Sequence, residues 1–234
     1  MTVEYSVAGG VATIALNRPG ARNALNLEMC DALLRITKSI SEDVKLVFVR
    51  GNGPVFCAGA DVREREGRDE AWVRERRMRA FAAYAALEAL PMPCVALVHG
   101  AVVGSGVEIA AACDFIVAAP DAAFRTPEAQ RGTVGATQRL PRILGKRLAK
   151  DLMFTGRALS AAEARDAGLV SRIGDLDSEK AAIAQAILKA PPLALRLAKR
   201  TIDRGIELDP AGALQAEIEA IEEQFAAGQW MGKS

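Results

Sequence analysis

The amino-acid sequence predicts an α/β fold with a helical C-terminal third. Three observations carry this. Short apolar runs of strand type alternate with segments of helical period through the first half of the chain, in recurring strand–strand–helix order. Beyond about residue 137 the character changes to helix almost throughout. No low-complexity tract, flexible linker or repeat of fixed period interrupts the 234 residues. At ~150 residues per domain that length allows one large domain, or one with an appendage.

The elements follow in order. Residues 2–8 and 11–17 alternate loosely about Gly9-Gly10, a β-hairpin signal, and the Leu16–Gly20 run ends the second strand. Apolar residues at 29, 33, 36 and 40 give a helical period over 27–40. Val44–Val49 reads as a compact strand, followed by the turn cluster Gly51-Asn52-Gly53-Pro54 and a short apolar run, Val55–Asp61, ending in small residues. Residues 68–90 form a long helix with charges in its first half and alanines in its second, ended by Pro91 and Pro93. Cys94–Val98 is a buried strand, 100–106 a glycine-rich loop, and 106–112 a short, nearly all-apolar helix. Residues 115–118 and 122–126 are further strands, the second followed by Pro127-Glu128. Ser160-Ala161-Ala162-Glu163 is a capping box, and Asp209-Pro210 supplies an N-cap and an N1 proline for a final helix to about residue 226.

Composition excludes several classes. Half the residues are hydrophobic and 25% charged, against disorder, collagen-like sequence and coiled-coil rods. Thirty basic and twenty-nine acidic residues leave a net charge of +1, with no gross electrostatic footprint for nucleic acid or an anionic membrane. Arg63–Arg79 holds seven arginines and five acids; mixed signs at helical spacing read as a solvated face. The cysteines at 30, 57, 94 and 113 make no C-x-x-C pair and read as buried free thiols. With one histidine, His99, a three-histidine or two-histidine-carboxylate metal site within one chain is excluded, and no G-x-S-x-G elbow accompanies it. Met1–Tyr5 lacks the basic and apolar regions of a signal peptide, and the apolar stretch 94–120 is broken by His99, Glu108 and Asp114. The expected location is a reducing cytoplasm, without membrane attachment.

Two features carry chemistry. In Gly104-Ser105-Gly106-Val107-Glu108 a strand feeds a glycine-rich loop that opens a helix. The first N–H groups of a helix lack internal partners, so such an end can hold a carbonyl oxygen that gains negative charge. The glycines serve either that approach or tight helix–sheet packing. A dinucleotide fingerprint is discounted because residue 109 is Ile. Glu108 sits among apolar neighbours, where a carboxylate is costly unless paired or functional; burial would raise its pKa, and the bland alternative is a side chain reaching solvent or an arginine. Glu128, by itself an ordinary loop carboxylate, follows Pro127, and Ala58-Gly59-Ala60-Asp61 is a corner that can leave N–H groups accessible. Two backbone donors and two carboxyls are what adding water to an activated double bond requires: an enolate oxygen is held, water loses a proton and the α-carbon gains one.

A series of motifs runs in order over about residues 3–205: Gly10–Pro19, Arg22-Asn23-Ala24-Leu25-Asn26, Phe56–Val62, His99-Gly100 with Gly104-Ser105-Gly106-x-Glu108, Pro127-Glu128, Gly135–Leu140 and Leu159–Val170. Together they resemble the enoyl-CoA hydratase/isomerase (crotonase) superfamily. The resemblance implies a spiral of strand–strand–helix turns over 1–190, with a helical trimerisation region at 191–234 that builds trimers, often paired into hexamers. It implies oxyanion donors at the N–H groups of Ala60 and Ser105, Glu108 activating water, and Glu128 supplying the α-proton. Ala58, Asp61, Val62 and Arg63 are then CoA contacts, with Arg22 and Ala24 weaker ones. It implies an acyl-CoA thioester as substrate, no separate cofactor, no metal, and no nucleic-acid partner, although one branch of the superfamily also binds RNA. Hydratase activity is the first reading and Δ3,Δ2-enoyl-CoA isomerase the second, since isomerisation needs only one carboxylate; another acyl-CoA enzyme of this fold, and then a non-catalytic acyl-CoA or RNA binding protein, rank below them. Two departures stand out. Ser105 replaces a glycine, at a cost of roughly 1 kcal/mol if the position needs positive φ. The ending Gln229–Ser234 lacks the Asp-x-x-Glu-Gly segment and basic helix of many members.

Overall fold

The computed structural model describes residues 1–228; the ending compared above lies outside the described residues. In chain order the strands are β1 (Val3–Ala8), β2 (Val11–Leu16), β3 (Leu46–Gly51), β4 (Cys94–Val98), β5 (Ala101–Val103), β6 (Phe115–Ala118), β7 (Ala123–Arg125), β8 (Leu159–Ser160) and β9 (Arg172–Ile173). The helices are α1 (Leu27–Ser39), α2 (Glu70–Glu88), α3 (Ser105–Ala111), α4 (Arg139–Thr155), α5 (Ala161–Asp166), α6 (Leu176–Leu188), α7 (Pro192–Gly205) and α8 (Pro210–Ala226). This is an α/β architecture closed by C-terminal helices.

Six strands form one sheet in the order β1-β2-β3-β4-β6-β9. The β1–β2 hairpin is antiparallel and turns at Gly9-Gly10, as the alternation predicts; every later pair in that sheet is parallel. Parallel strands are covered on both faces, so β3 and β4 are apolar at nearly every position. The two-residue period then sorts the side chains. Val47, Val49, Cys94 and Ala96 enter the main core with α1 and α2. Leu46, Phe48, Val95 and Leu97 face α6, whose one buried residue is Ile183.

In the second sheet, β5-β7-β8, strand β7 falls where 122–126 predicts one, while β5 and β8 differ from the expectation, which reads 100–106 as loop and the chain past about 137 as helix almost throughout. Ala101-Val102-Val103 is too short to show a period. It is a strand because β7 and Cys57 both pair with it. The apolar run at 55–61, in contrast, makes only single-residue bridges, Cys57 to Val102 and Ala60 to Leu25.

Local signals at the helix ends hold. The Asn26 side chain caps α1, and Asp69 caps α2. Ser160 and Glu163 make both bonds of the capping box. Asp209 caps α8 with Pro210 in its first turn. All four cysteines are buried free thiols. The α7–α8 hairpin is laced by the Arg204–Glu219 pair at 2.8 Å and tied to the body by Lys199 on Asp114 at 2.9 Å.

Ile183→Ala empties the apolar contact between α6 and the sheet. It should lower stability by about 2–4 kcal/mol in urea denaturation; an unchanged midpoint would show that α6 is not part of the cooperative core.

Candidate active site

Two chain segments lie side by side where the small sheet meets α3. Cys57 N–H donates to Ala101 O at 3.1 Å, and Val103 N–H donates to Cys57 O at 2.9 Å. On its other side the 57–61 segment meets Leu25, whose N–H donates to Gly59 O at 2.7 Å and whose carbonyl accepts from Asp61 N–H at 2.9 Å. In such a parallel bridge the residue between the two bonded neighbours turns its own N–H away. Ala60 is that residue, and its N–H has no protein acceptor among the described residues. Ser105 opens α3, and its N–H likewise has none. The two donors line the same cleft, of about 180 Å³.

The glycines around Ser105 divide the two roles the sequence left open. Gly104 has φ +49, and a Cβ there would lie 2.5 Å from Glu128 Oε1. Gly106 has ordinary helical backbone, but its Cβ would lie 2.6 Å from Cys57 O, so α3 packs directly on the neighbouring segment. Ser105 does not have positive φ, so replacing glycine there carries no left-handed strain. Burial pushes the pKa of the neighbouring Tyr84 up, and the Ser105 side chain acts against this.

Glu108 lies one turn into α3 and is 6% exposed. Oε1 accepts from Ala136 N–H at 2.7 Å, and Oε2 faces Arg139 Nη1 at 3.3 Å. The bland expectation, a carboxylate reaching an arginine, is therefore met, yet the same side chain lines the cleft. Ala136 holds it from a positive φ of 56°, rare for a residue with a Cβ. Glu128 follows β7 and lies across Gly104 and Gly135. Its Oε2 is buried with no hydrogen-bond partner among the described residues. Burial pushes its pKa up and the Glu108 charge adds to this, while Arg131 and Arg77 act against it.

Of the residues singled out from sequence, Ala60, Ser105, Glu108, Glu128 and Val62 share the cleft. Ala58, Asp61, Arg63, Arg22 and Ala24 do not line it; they form the surface beside it. Ala58 N–H donates to Arg22 O at 3.0 Å, Arg18 bridges Asp61 at 2.9 Å and the Ala24 carbonyl, and Asp61 receives the Arg63 N–H at 3.2 Å.

Sequence reading missed the arginines. Arg65, Arg76, Arg77 and Arg131 line the cleft, so the Arg63–Arg79 run is not simply a solvated face. Arg76 is 2% exposed, pairs with Glu64 at 3.4 Å and donates to Leu25 O. A signal was present: the buried face of α2 is Ala80, Ala83, Tyr84 and Leu87, and one turn back along that face is Arg76. Asn23 was quoted without a role. Buried at φ 53, it bonds Arg18 N–H, Asn52 O and Val55 O, joining the 18–24 and 52–55 turns.

Comparisons place this geometry among known proteins. The model of the family described as Enoyl-CoA hydratase/isomerase matches residues 6–231. Human enoyl-CoA hydratase domain-containing protein 2, mitochondrial, is 43% identical over 221 residues, covering 89% of this chain and 76% of that protein. The crystal structure of enoyl-CoA hydratase from Bacillus anthracis superposes with TM-score 0.91 at 36% identity, covering 95% of this chain and 90% of that one. A Thermobifida fusca structure in complex with CoA gives TM-score 0.91 at 26% identity, covering 97% and 93%.

Two outcomes follow from the carboxylate geometry. The native state holds the Glu128 proton more tightly than the unfolded chain, whose value lies near 4.5. The stability this carboxyl contributes is thus present at acid pH and lost as pH rises through the raised native value. Glu128→Gln should therefore gain melting temperature over the wild type as pH climbs from below 4.5 to neutrality; a pH-independent difference would refute the burial effect. Ala136→Gly relieves the left-handed strain and should raise stability by up to about 1 kcal/mol in urea denaturation, whereas a loss would mean the Cβ packs usefully.

Proposed function

The chain belongs to the enoyl-CoA hydratase/isomerase family, and from that premise we propose that it is an enoyl-CoA hydratase, adding water across the 2,3 double bond of a trans-2-enoyl-CoA thioester. The observation that carries this reading is one cleft holding two unpartnered N–H donors and two carboxyls. The thioester oxygen accepts from the Ala60 and Ser105 N–H groups, which are already oriented before charge develops on it. Water adds to C3 while Glu108, fixed by Ala136 and Arg139, takes its proton. The π electrons move towards C2 and the oxyanion, and C2 then receives a proton from Glu128. The raised pKa of Glu128 supports its carrying that proton. The hydroxyl and the proton add syn, and the product is a 3-hydroxyacyl-CoA.

CoA lies along the surface formed by Ala58, Asp61, Val62 and Arg63, with Arg22 and Ala24 beside it; the CoA complex of the Thermobifida fusca relative supports a CoA thioester as ligand. We further assign self-association, as a trimer or hexamer, to the α7–α8 hairpin, where Ile202 and Ile206 are 68% and 81% exposed. No single helix among the described residues is long and apolar enough to cross a membrane. The four free thiols suit a reducing compartment such as the cytoplasm.

One observation favours a second reading, the Δ3,Δ2-enoyl-CoA isomerase. Both Glu108 oxygens are engaged, while Glu128, which also lines the cleft, has an Oε2 without a partner among the described residues. A single such carboxyl is enough to carry a proton from C2 to C4.

Absorbance of the conjugated enoyl thioester separates the two. Crotonyl-CoA should lose its band on mixing with the protein, and Glu108→Gln and Glu128→Gln should each lower kcat by about 10²-fold or more. Appearance of the band from a 3-enoyl-CoA, with Glu108→Gln retaining activity, would favour the isomerase instead.

A further inference from the structure

Resting on the reading above, we propose that the acyl side of the cleft is an anion-binding subsite, and that the substrate is an enoyl-CoA whose acyl chain ends in a carboxylate. Four guanidinium groups, of Arg65, Arg76, Arg77 and Arg131, line the cleft against two carboxyls, Glu108 and Glu128. Glu108 also has Arg139, outside that lining, as its own cation. With Arg76 offset by Glu64 and Glu108 by Arg139, Arg65, Arg77 and Arg131 stand against Glu128 alone, an excess of positive charge that a hydrocarbon chain does nothing to offset.

The guanidinium groups differ in what already occupies them. Arg76 is committed to Glu64 and the Leu25 carbonyl, and its role is to hold the segment that presents Ala60. Arg77 gives one nitrogen to Val134 O. Arg65 is the exception: its Nε is buried and has no acceptor among the described residues. A buried N–H without a partner is costly, and an arginine offers five donors in a planar fork that matches a carboxylate. An acyl carboxylate at Arg65 and Arg77 would satisfy that donor, which an alkyl chain would leave buried and unpaired. Burial, and then Arg76 and Arg77, push the Arg65 pKa down while Glu64 acts against them; Glu64 is itself paired with Arg76, and among the described residues no carboxylate forms an ion pair with Arg65 or Arg77.

Two sources of anionic oxygen exist on such a ligand, the acyl chain and the CoA phosphates. The observations favour the chain. The arginines share one small cleft with the oxyanion donors and both glutamates, and Arg77 acts electrostatically on Glu128. The nucleotide phosphates stand at the far end of the pantetheine arm from the thioester. Ala80, Phe81 and Val134 also line the cleft and suit a short methylene link between the reacting carbons and the charge.

The test is calorimetric binding of three ligands to the full chain: glutaryl-CoA, 5-methylhexanoyl-CoA and free CoA. The second puts an isopropyl group where the first has its carboxylate, and neither has a double bond to hydrate. Wild type should bind glutaryl-CoA about tenfold or more tightly than the neutral isostere. Arg65→Gln and Arg77→Gln should each bring that ratio towards one, and Arg65→Lys, which keeps charge without the fork, should retain part of it. Equal or tighter binding of the neutral ligand by wild type would overturn the proposal. So would arginine variants that weaken free CoA as much as glutaryl-CoA, which would assign the groups to the phosphates. Thermal melts separate unfolding from loss of the subsite. Since no turnover is involved, a retained glutaryl preference with no hydration of glutaconyl-CoA would count against the hydratase reading alone.

Discussion

The site depends on the bridge between Cys57 and Val102. Through it, the corner that ends in Ala60 and the turn that begins α3 run side by side in fixed register, with Cys57 bonded to Ala101 and Val103. Backbone donors cannot be moved by rotating a side chain, so their geometry is only as good as the register of the segments that carry them. Gly106 lets α3 approach that bridge with nothing between the helix and the Cys57 carbonyl, and Gly104 turns the chain into the helix under Glu128. The remaining parts follow from this contact. Glu108 comes round on the next turn of α3, and Leu25 closes the outer side of the corner.

Charge is the second constraint. The cleft brings two carboxyls near one another in a place that water reaches poorly, and the structure treats them differently. Glu108 receives a backbone N–H and a guanidinium, whereas Glu128 keeps one oxygen without a partner and has its pKa pushed up. Two like groups in unlike surroundings are suited to unlike proton tasks. Around them the arginines of α2 and the preceding turn introduce more positive charge than the glutamates cancel. The left-handed backbone at Ala136 and the buried Arg65 nitrogen, which lacks an acceptor among the described residues, are structural costs carried beside this cleft.

How much was legible varies with the range of the interaction. The hairpin at Gly9-Gly10, the capping box at Ser160 and Glu163 and the Asp209-Pro210 helix start were readable, because each is a contact between residues close in sequence. Glu108 was readable because a carboxylate inside an apolar helix contradicts its surroundings. Strand β5 was not, since three residues show no period and pair only with distant partners. The arginine run on α2 was read as solvated because its alternating signs hide the face that Ala80, Ala83 and Tyr84 define. Ala136 and Arg139 carried no signal as partners of Glu108, being about thirty residues away from it.

By itself the sequence determined the α/β class, the turns and caps and the glycines at 104 and 106, because local backbone preference and hydrophobic period act within a few residues; it marked Glu108 as out of place among apolar neighbours, and Glu128, by itself an ordinary loop carboxylate, drew its role from the family resemblance. Only the tertiary structure decided that Ala60 and Ser105 turn their N–H groups into one cleft, that Glu108 and Glu128 take unlike surroundings, and that Arg65, Arg76, Arg77 and Arg131 line the same cleft. Those outcomes rest on pairing and burial between segments tens of residues apart. Their energies depend on which groups meet and how far water is excluded, and neither is set until the chain has folded.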